Sequence, residues 1–249
     1  MEKTKAVKRG LLKLGGAAFG PDGKGLEGMD SATIAHLVNE IASVAAKTEL
    51  VIVPGGGNWF RGADLVKKLK MDPRRSDYSG MLATVVNAGI LEDLLSRACH
   101  GREIVVASRL HIPDFAEPFL PKKINAHLEN GKIVILAGGT GQPRVSTDSA
   151  AVESGLALGV DIIIKATKVD GVFTSDPGKD PAAKHIPQLT HEEFVARKLR
   201  QLFDRAAVLS AGENGLPIRV IKFATPGNLE RAVRGEDVGS LIYTPPVTK

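Results

Sequence analysis

The chain carries a single cysteine, Cys99, in 249 residues. An intrachain disulfide is therefore excluded, and a reducing compartment is expected. Aromatic residues make up only 4% of the chain, with one tryptophan. The basic residues are interleaved with acids, so the net charge of +5 comes without the basic stripe or stacking platform that nucleic-acid binding needs. No apolar run approaches the roughly 20 residues of a membrane-spanning helix. Neither nucleic acid nor membrane is an expected partner. Residues 1–9 are charged and lack the apolar centre of a signal peptide, which points to the cytoplasm. The histidines at 36, 100, 111, 127, 185 and 191 show no metal-ligand spacing. The common phosphate motifs are missing too. There is no Gly-x-x-x-x-Gly-Lys-Ser/Thr, and Arg144 stands where the dinucleotide fingerprint beginning at Gly139 would need its third glycine.

What the chain does have is glycine, 27 residues of it, and a hydrophobic content of 43%. That composition fits a globular α/β protein with many tight turns, organised as one large domain or two lobes. Helical stripes are expected over 32–46, 81–98, 120–129, 147–159, 191–198 and 204–213, with a short helix at 228–233. Strands are expected over 10–14, 50–54, 103–107, 133–136, 160–164, 217–223 and 240–243. Such alternation implies a mainly parallel sheet with helices on both faces. A tight turn at 169–173 reads as a hairpin where the strand order changes, closed by Asp176-Pro177. Residues 1–165 are expected to form an acceptor half and 166–249 a nucleotide half, sharing one sheet, with a frayed tail at 245–249.

Four of these strands run into glycine or lysine. The first carries Lys13 and meets Gly15-Gly16; the second meets Gly55-Gly56-Gly57; a third meets Gly138-Gly139-Thr140-Gly141; a fourth ends at Lys165. Glycine lets backbone N–H groups converge on an oxyanion. Four such turns on successive strands suggest a polyphosphate site along the carboxyl edge of the sheet. Phosphoryl transfer needs little covalent help, only fixed positive charge, N–H donors and Mg²⁺. Lys13 and Lys165 are the candidate charges, the alternative being surface lysines that follow strands. Asp148 and Asp204 each open a helix and either orient those lysines, hold Mg²⁺ or simply cap. Arg61, one turn past Asn58, is placed to clamp a phosphate. Asp77, just before a long helix, reads as a cap or a ligand to a sugar hydroxyl. Trp59, Phe60 and Cys99 read as packing.

The motifs Gly55-Gly-Gly-Asn-Trp-Phe-Arg-Gly62, Gly80-Met-Leu-Ala-Thr-Val-Val-Asn87, Thr147-Asp-Ser-Ala-Ala151, Lys165 to Pro177 and Leu216-Pro-Ile-Arg-Val220 occur in one order along the chain. In these residues the chain resembles the amino-acid kinase superfamily, and within it the bacterial UMP kinase (uridylate kinase) family. The resemblance spans about 11–244. It implies a three-layer αβα sandwich, a homohexamer, and transfer of the ATP γ-phosphate to UMP with Mg²⁺. It implies Lys13, Lys165, Asp148 and Asp204 as the catalytic group. Gly56, Gly57 and Arg61 would then hold the acceptor phosphate, and Asp77, Thr140, Gln142, Arg144 and Thr147 the acceptor nucleoside. ATP would lie against Lys13, Gly15, Gly16, Thr167, Lys168, Val169, Asp170, Phe173 and Asp176.

The chain departs from that family in four places, one of them the segment 111–121, which matches it poorly. Lys13-Leu-Gly-Gly-Ala17 replaces the usual Lys-Leu-Ser-Gly-Glu. Thr140-Gly-Gln-Pro-Arg-Val-Ser-Thr-Asp148 replaces Thr-Gly-Asn-Pro-Phe-Phe-Thr-Thr-Asp, so Gln142, Arg144 and Val145 stand in for an amide and two rings. Glu92 and Ser96 stand where the family often has an arginine and a histidine tied to GTP activation. Another small anionic acceptor, or a non-catalytic nucleotide- or oxoanion-binding role, remains open at this point.

Overall fold

The structure, a computed structural model, describes residues 6–197, 199 and 202–246. Strands β1 (Arg9–Leu14), β2 (Glu49–Pro54), β3 (Ile104–Ser108), β5 (Ile133–Ala137), β6 (Ile162–Thr167) and β10 (Ile218–Lys222) form the body of one nine-stranded sheet. Short strands β4 (Glu117–Pro118), β9 (Gln188–Thr190) and β11 (Ser240–Tyr243) complete it, in the order β4-β3-β5-β2-β1-β6-β10-β11-β9. Every pairing is parallel except β10 with β11.

The strands alternate their side chains between two cores, as a sheet covered on both faces requires. Leu12, Ile52 and Ile164 face one core, where α1 (Ser31–Ala45), α3 (Pro73–Ala98) and α8 (Asn228–Val233) pack. Leu11, Val51 and Ile163 face the other, against α4 (Pro121–Glu129), α5 (Thr147–Leu158), α6 (His191–Ala196) and α7 (Arg205–Glu213). The chain is thus a three-layer αβα sandwich, as expected. No helix among the described residues is long and apolar enough to cross a membrane.

Several local expectations need correction. The turn at 169–173 is not a hairpin on β6. Both edges of β6 are already paired, with β1 and β10, so no edge is free for a returning strand. Instead β7 (Val172–Phe173) pairs antiparallel with β8 (His185–Ile186) as a separate two-stranded flap. The strand order reverses one element earlier. The chain leaves β5, crosses through α5 and inserts β6 on the far side of β1. Helix α3 starts at Pro73, with Asp72 accepting a hydrogen bond from Arg75 N–H, so Asp77 lies inside the helix and caps nothing. A further helix, α2 (Gly62–Leu69), precedes it. Arg61 is therefore the residue that begins α2, not one a helical turn beyond Asn58. Helix α6 ends at Ala196; Lys198, where it was expected to end, lies outside the described residues, as do 247–249 of the tail.

Candidate active site

The carboxyl ends of β1, β2 and β6 meet where the strand order reverses, the usual position of a ligand crevice in an open α/β sheet. Lys13 and Lys165 are register partners on neighbouring strands. Their side chains consequently project to the same face, toward α5. Each lies within its strand rather than just past the end, Lys165 two residues before the close of β6.

Between them sits Asp148. Its carboxylate lies 2.9 Å from Lys13 Nζ and accepts hydrogen bonds of 2.7 and 2.8 Å from Lys165 Nζ. All three residues are buried. Asp148 is free for this because Ser146, not the Thr147-Asp148 pair, caps α5, with its hydroxyl accepting from Ser149 N–H. Asp204 behaves as the capping alternative describes. Its carboxylate accepts from Ala206 N–H at the start of α7, and its own N–H donates to Asp148 at 3.1 Å. The Lys165 ammonium also lies 4.5 Å from the centre of the buried Phe203 ring, a cation–π contact.

One carboxylate shared by two ammoniums leaves the cluster with net positive charge. Burial alone would push the Asp148 carboxyl up, but Lys13 and Lys165 outweigh that and hold it below the ordinary value. Lys165 is pushed down to about 8, first by burial and then by the Lys13 charge, against the pull of Asp148. A positive cluster held out of water is primed to receive an anion.

The cleft over this cluster encloses about 1050 Å³. Its floor is two glycine turns packed backbone to backbone. A Cβ on Gly16 would come within 2.5 Å of the Gly57 and Asn58 nitrogens, so only glycine permits the approach. Gly55 N–H donates to Leu14 O across the same junction. Lys13, Gly15 and Gly16 line the cleft, as do Gly56, Gly57, Arg61 and Thr147. So do Lys165, Thr167, Lys168, Val169, Phe173 and Asp176. Asp170 is exposed and is not among the lining residues. Asp77, Thr140, Gln142 and Arg144 also stand back from this wall. They hold the loop behind Thr147: Asp77 accepts from Arg144 N–H at 2.9 Å, and Thr140 Oγ1 from Gln142 N–H at 3.2 Å. Arg144 takes a left-handed conformation with φ of 64°.

Two contributors escaped sequence reasoning. Asn87 on α3 is fully buried, and its amide donates to Gly55 O at 2.6 Å and Asn58 Oδ1 at 2.7 Å. Its own Oδ1 accepts from Trp59 Nε1 at 2.8 Å, so α3 fixes the glycine turn from below. Asp22, in the segment before α1, lines the cleft and is ion-paired with Arg61. Among the described residues no group of three or more His, Cys, Asp or Glu is placed to hold a metal ion.

Residues 8–222 match the model of the amino acid kinase family. The chain is 40% identical over 245 residues to a uridylate kinase of Corynebacterium efficiens, covering 98% of each. It is 41% identical over 237 residues to the uridylate kinase of Mycobacterium tuberculosis, covering 95% of this chain and 88% of that one. The crystal structure of UMP kinase from Bacillus anthracis superposes with a TM-score of 0.90 at 36% identity, covering 97% of this chain and 98% of that one. By its motifs, its sheet order and these similarities, the chain belongs to the amino acid kinase family.

Proposed function

We propose that the chain transfers the γ-phosphate of MgATP to UMP, giving UDP and ADP. The observation that carries this reading is the Lys13–Asp148–Lys165 cluster, whose two lysines line a cleft floored by glycine turns. An oxygen of the acceptor phosphate attacks the γ-phosphorus as the bond to the ADP oxygen breaks, with no covalent enzyme species. Charge then spreads over the three transferring oxygens, and fixed ammoniums stabilise it best at that moment. Lys13 and Lys165 supply the ammoniums. Asp148 orients both, and Asp204 anchors Asp148 through its N–H. Because both Asp148 oxygens are engaged by the cluster, Mg²⁺ is best read as entering with the ATP phosphates rather than on this carboxylate.

The Gly56-Gly57 turn and Arg61 hold the acceptor phosphate. From there the nucleoside runs toward Thr147 and the loop braced by Asp77, with Thr140, Gln142 and Arg144 shaping its pocket. Gly15 and Gly16 meet the ATP phosphates. Thr167, Lys168, Val169, Phe173 and Asp176, from the end of β6 and the flap, cradle its ribose and base, with Asp170 outside the cleft wall. In this reading 1–165 is the acceptor half and 166–249 the ATP half of one sheet, acting in pyrimidine nucleotide biosynthesis in the cytoplasm.

Self-association, as a homohexamer, belongs to the same proposal. Tyr78, Leu82 and Val86 stand one turn apart along α3 and are 38%, 53% and 48% exposed, an apolar stripe suited to a second copy of this chain.

The test is ADP release with a panel of UMP, CMP, other nucleoside monophosphates and small phosphorylated metabolites. UMP should be turned over best. Turnover of another acceptor without UMP would retain the kinase and reject the acceptor.

A further inference from the structure

Among the described residues that line this basic cleft, Asp22 is the acidic side chain beside the Gly56-Gly57 turn, and the proposed function gives it no task. Residues 20–25 form a strap laid across the second glycine turn. Gly23 N–H donates to Gly57 O at 3.0 Å and Gly25 N–H to Asn58 O at 2.8 Å. The strap lies close because Gly25 has no side chain; a Cβ there would meet the Trp59 ring at 3.2 Å. So placed, Asp22 Oδ1 is 3.5 Å from where a Gly57 Cβ would project, and its other oxygen accepts from Arg61 Nη2. A carboxylate thus occupies the glycine turn and its arginine, the position assigned above to the acceptor phosphate.

We propose that Asp22 is a built-in competing anion that neutralises Arg61 until a dianionic phosphate monoester displaces it. The inference rests on the reading of Gly56, Gly57 and Arg61 as the acceptor-phosphate site. The side chains of Arg61 and Asp22 are 63% and 35% exposed, and exposed pairs of this kind contribute little. A doubly charged, bidentate phosphate therefore outcompetes the carboxylate, whereas a singly charged anion does not. Once phosphate is bound, like charge drives Asp22 away, and the strap can turn at Gly20, Gly23 and Gly25, all at positive φ. Asp22 in this way sets selectivity for phosphate monoesters and weakens the hold of stray anions.

Asp22→Asn keeps the shape and removes the charge. Titration calorimetry with inorganic phosphate at pH 8 should give a Kd about two- to fivefold lower than the parent, the range an exposed ion pair supports. Asp64→Asn makes the same charge change on an exposed residue of α2 outside the cleft and should leave that Kd unchanged. In an Arg61→Ala background the gain from Asp22→Asn should vanish. Unchanged or weaker phosphate binding in Asp22→Asn, an equal gain in Asp64→Asn, or a gain that survives Arg61→Ala overturns the proposal. In turnover, the KM for UMP should fall by the same factor. If no nucleoside monophosphate is turned over, the acceptor reading fails while the phosphate titration still decides the role of Asp22.

Discussion

Replacing Asp148 with Asn removes the carboxylate that binds both Lys13 and Lys165 and keeps the side chain's shape. Two responses compete. Keeping both ammoniums charged and buried without it costs about 3–5 kcal/mol, the usual penalty for stranding a buried charge. Releasing the proton of Lys165 costs less. Its pKa is already about 8 with Asp148 present. At pH 7 neutralisation therefore costs roughly one pKa unit, on the order of 1 kcal/mol. The cheaper response wins, so Asp148→Asn folds at pH 7 with Lys165 neutral and loses one of its two phosphoryl-stabilising charges. Removing one such donor typically lowers kcat by about 10²–10³. Stability should follow pH in a defined direction. The unfolded lysine, near 10.5, stays protonated while the folded one does not, so the unfolded state binds more protons and stability rises with pH. Between pH 6 and pH 8 the variant should gain on the parent by up to about 1.4 kcal/mol per pH unit. Urea unfolding at pH 6, 7 and 8 with coupled ADP-release kinetics reads both effects. A variant with kcat within tenfold of the parent, and with the same pH dependence of stability, would refute the reasoning.

The parent enzyme should show its own pH signature. Lys165 loses its charge as pH rises through about 8, so kcat/KM for MgATP should fall on the alkaline side with an apparent pKa there. In kcat that limb should move upward, because bound triphosphate favours the ammonium; a limb fixed near 10 in both profiles would count against a depressed lysine. Lys165→Ala should lower kcat far more than it raises the KM for ATP, since its charge acts most as the phosphoryl group moves; a pure KM effect would show its role was misread. The two first-turn glycines should differ sharply. A Cβ on Gly15 meets nothing closer than 3.9 Å, whereas one on Gly16 reaches backbone nitrogens at 2.5 Å. Gly15→Ala should melt within about 0.5 kcal/mol of the parent and Gly16→Ala should lose about 1–3 kcal/mol; equal melting of the two would disprove the backbone-to-backbone contact. Finally, Leu82→Asp should lower the mass measured by light scattering without altering the far-ultraviolet dichroism, and an unchanged mass would remove α3 as an interface.

The layered fold was legible because its strands are nearly unbroken apolar runs and α1, α4, α5 and α7 carry apolar stripes. Helix α2 and the first two turns of α3 were not legible. Residues 62–80 bury little apart from Ser76, and α2 is only eight residues long, so the helical spacing of Leu65, Val66 and Leu69 was too brief to stand out. The Asp72-Pro73 pair was the available signal, a cap followed by proline at the first helical position. The flap was misread because tight turn chemistry at 169–173 looks the same whether the next strand returns to β6 or not. Only the pairing of β6 on both sides decides it, and that is tertiary information. Within the site, Lys13 and Lys165 stood out as cations in apolar strands. That Asp148 joins them depended on Ser146 taking over the cap. Asn87 closed a matching motif that assigned it no role, and Asp22 carried no local signal, since an amide on a helix and an acid in a glycine-rich loop are ordinary until the fold sets them against the turn at 55–58.

The most direct test is a crystal structure with UMP and a non-hydrolysable ATP analogue. The γ-phosphate should lie within hydrogen-bond reach, about 3 Å, of both Lys13 Nζ and Lys165 Nζ, and the UMP phosphate on the Gly56-Gly57 turn with Arg61 turned from Asp22 onto it. A triphosphate lying elsewhere, with both lysines still closed on Asp148 and out of its reach, would contradict the proposed function.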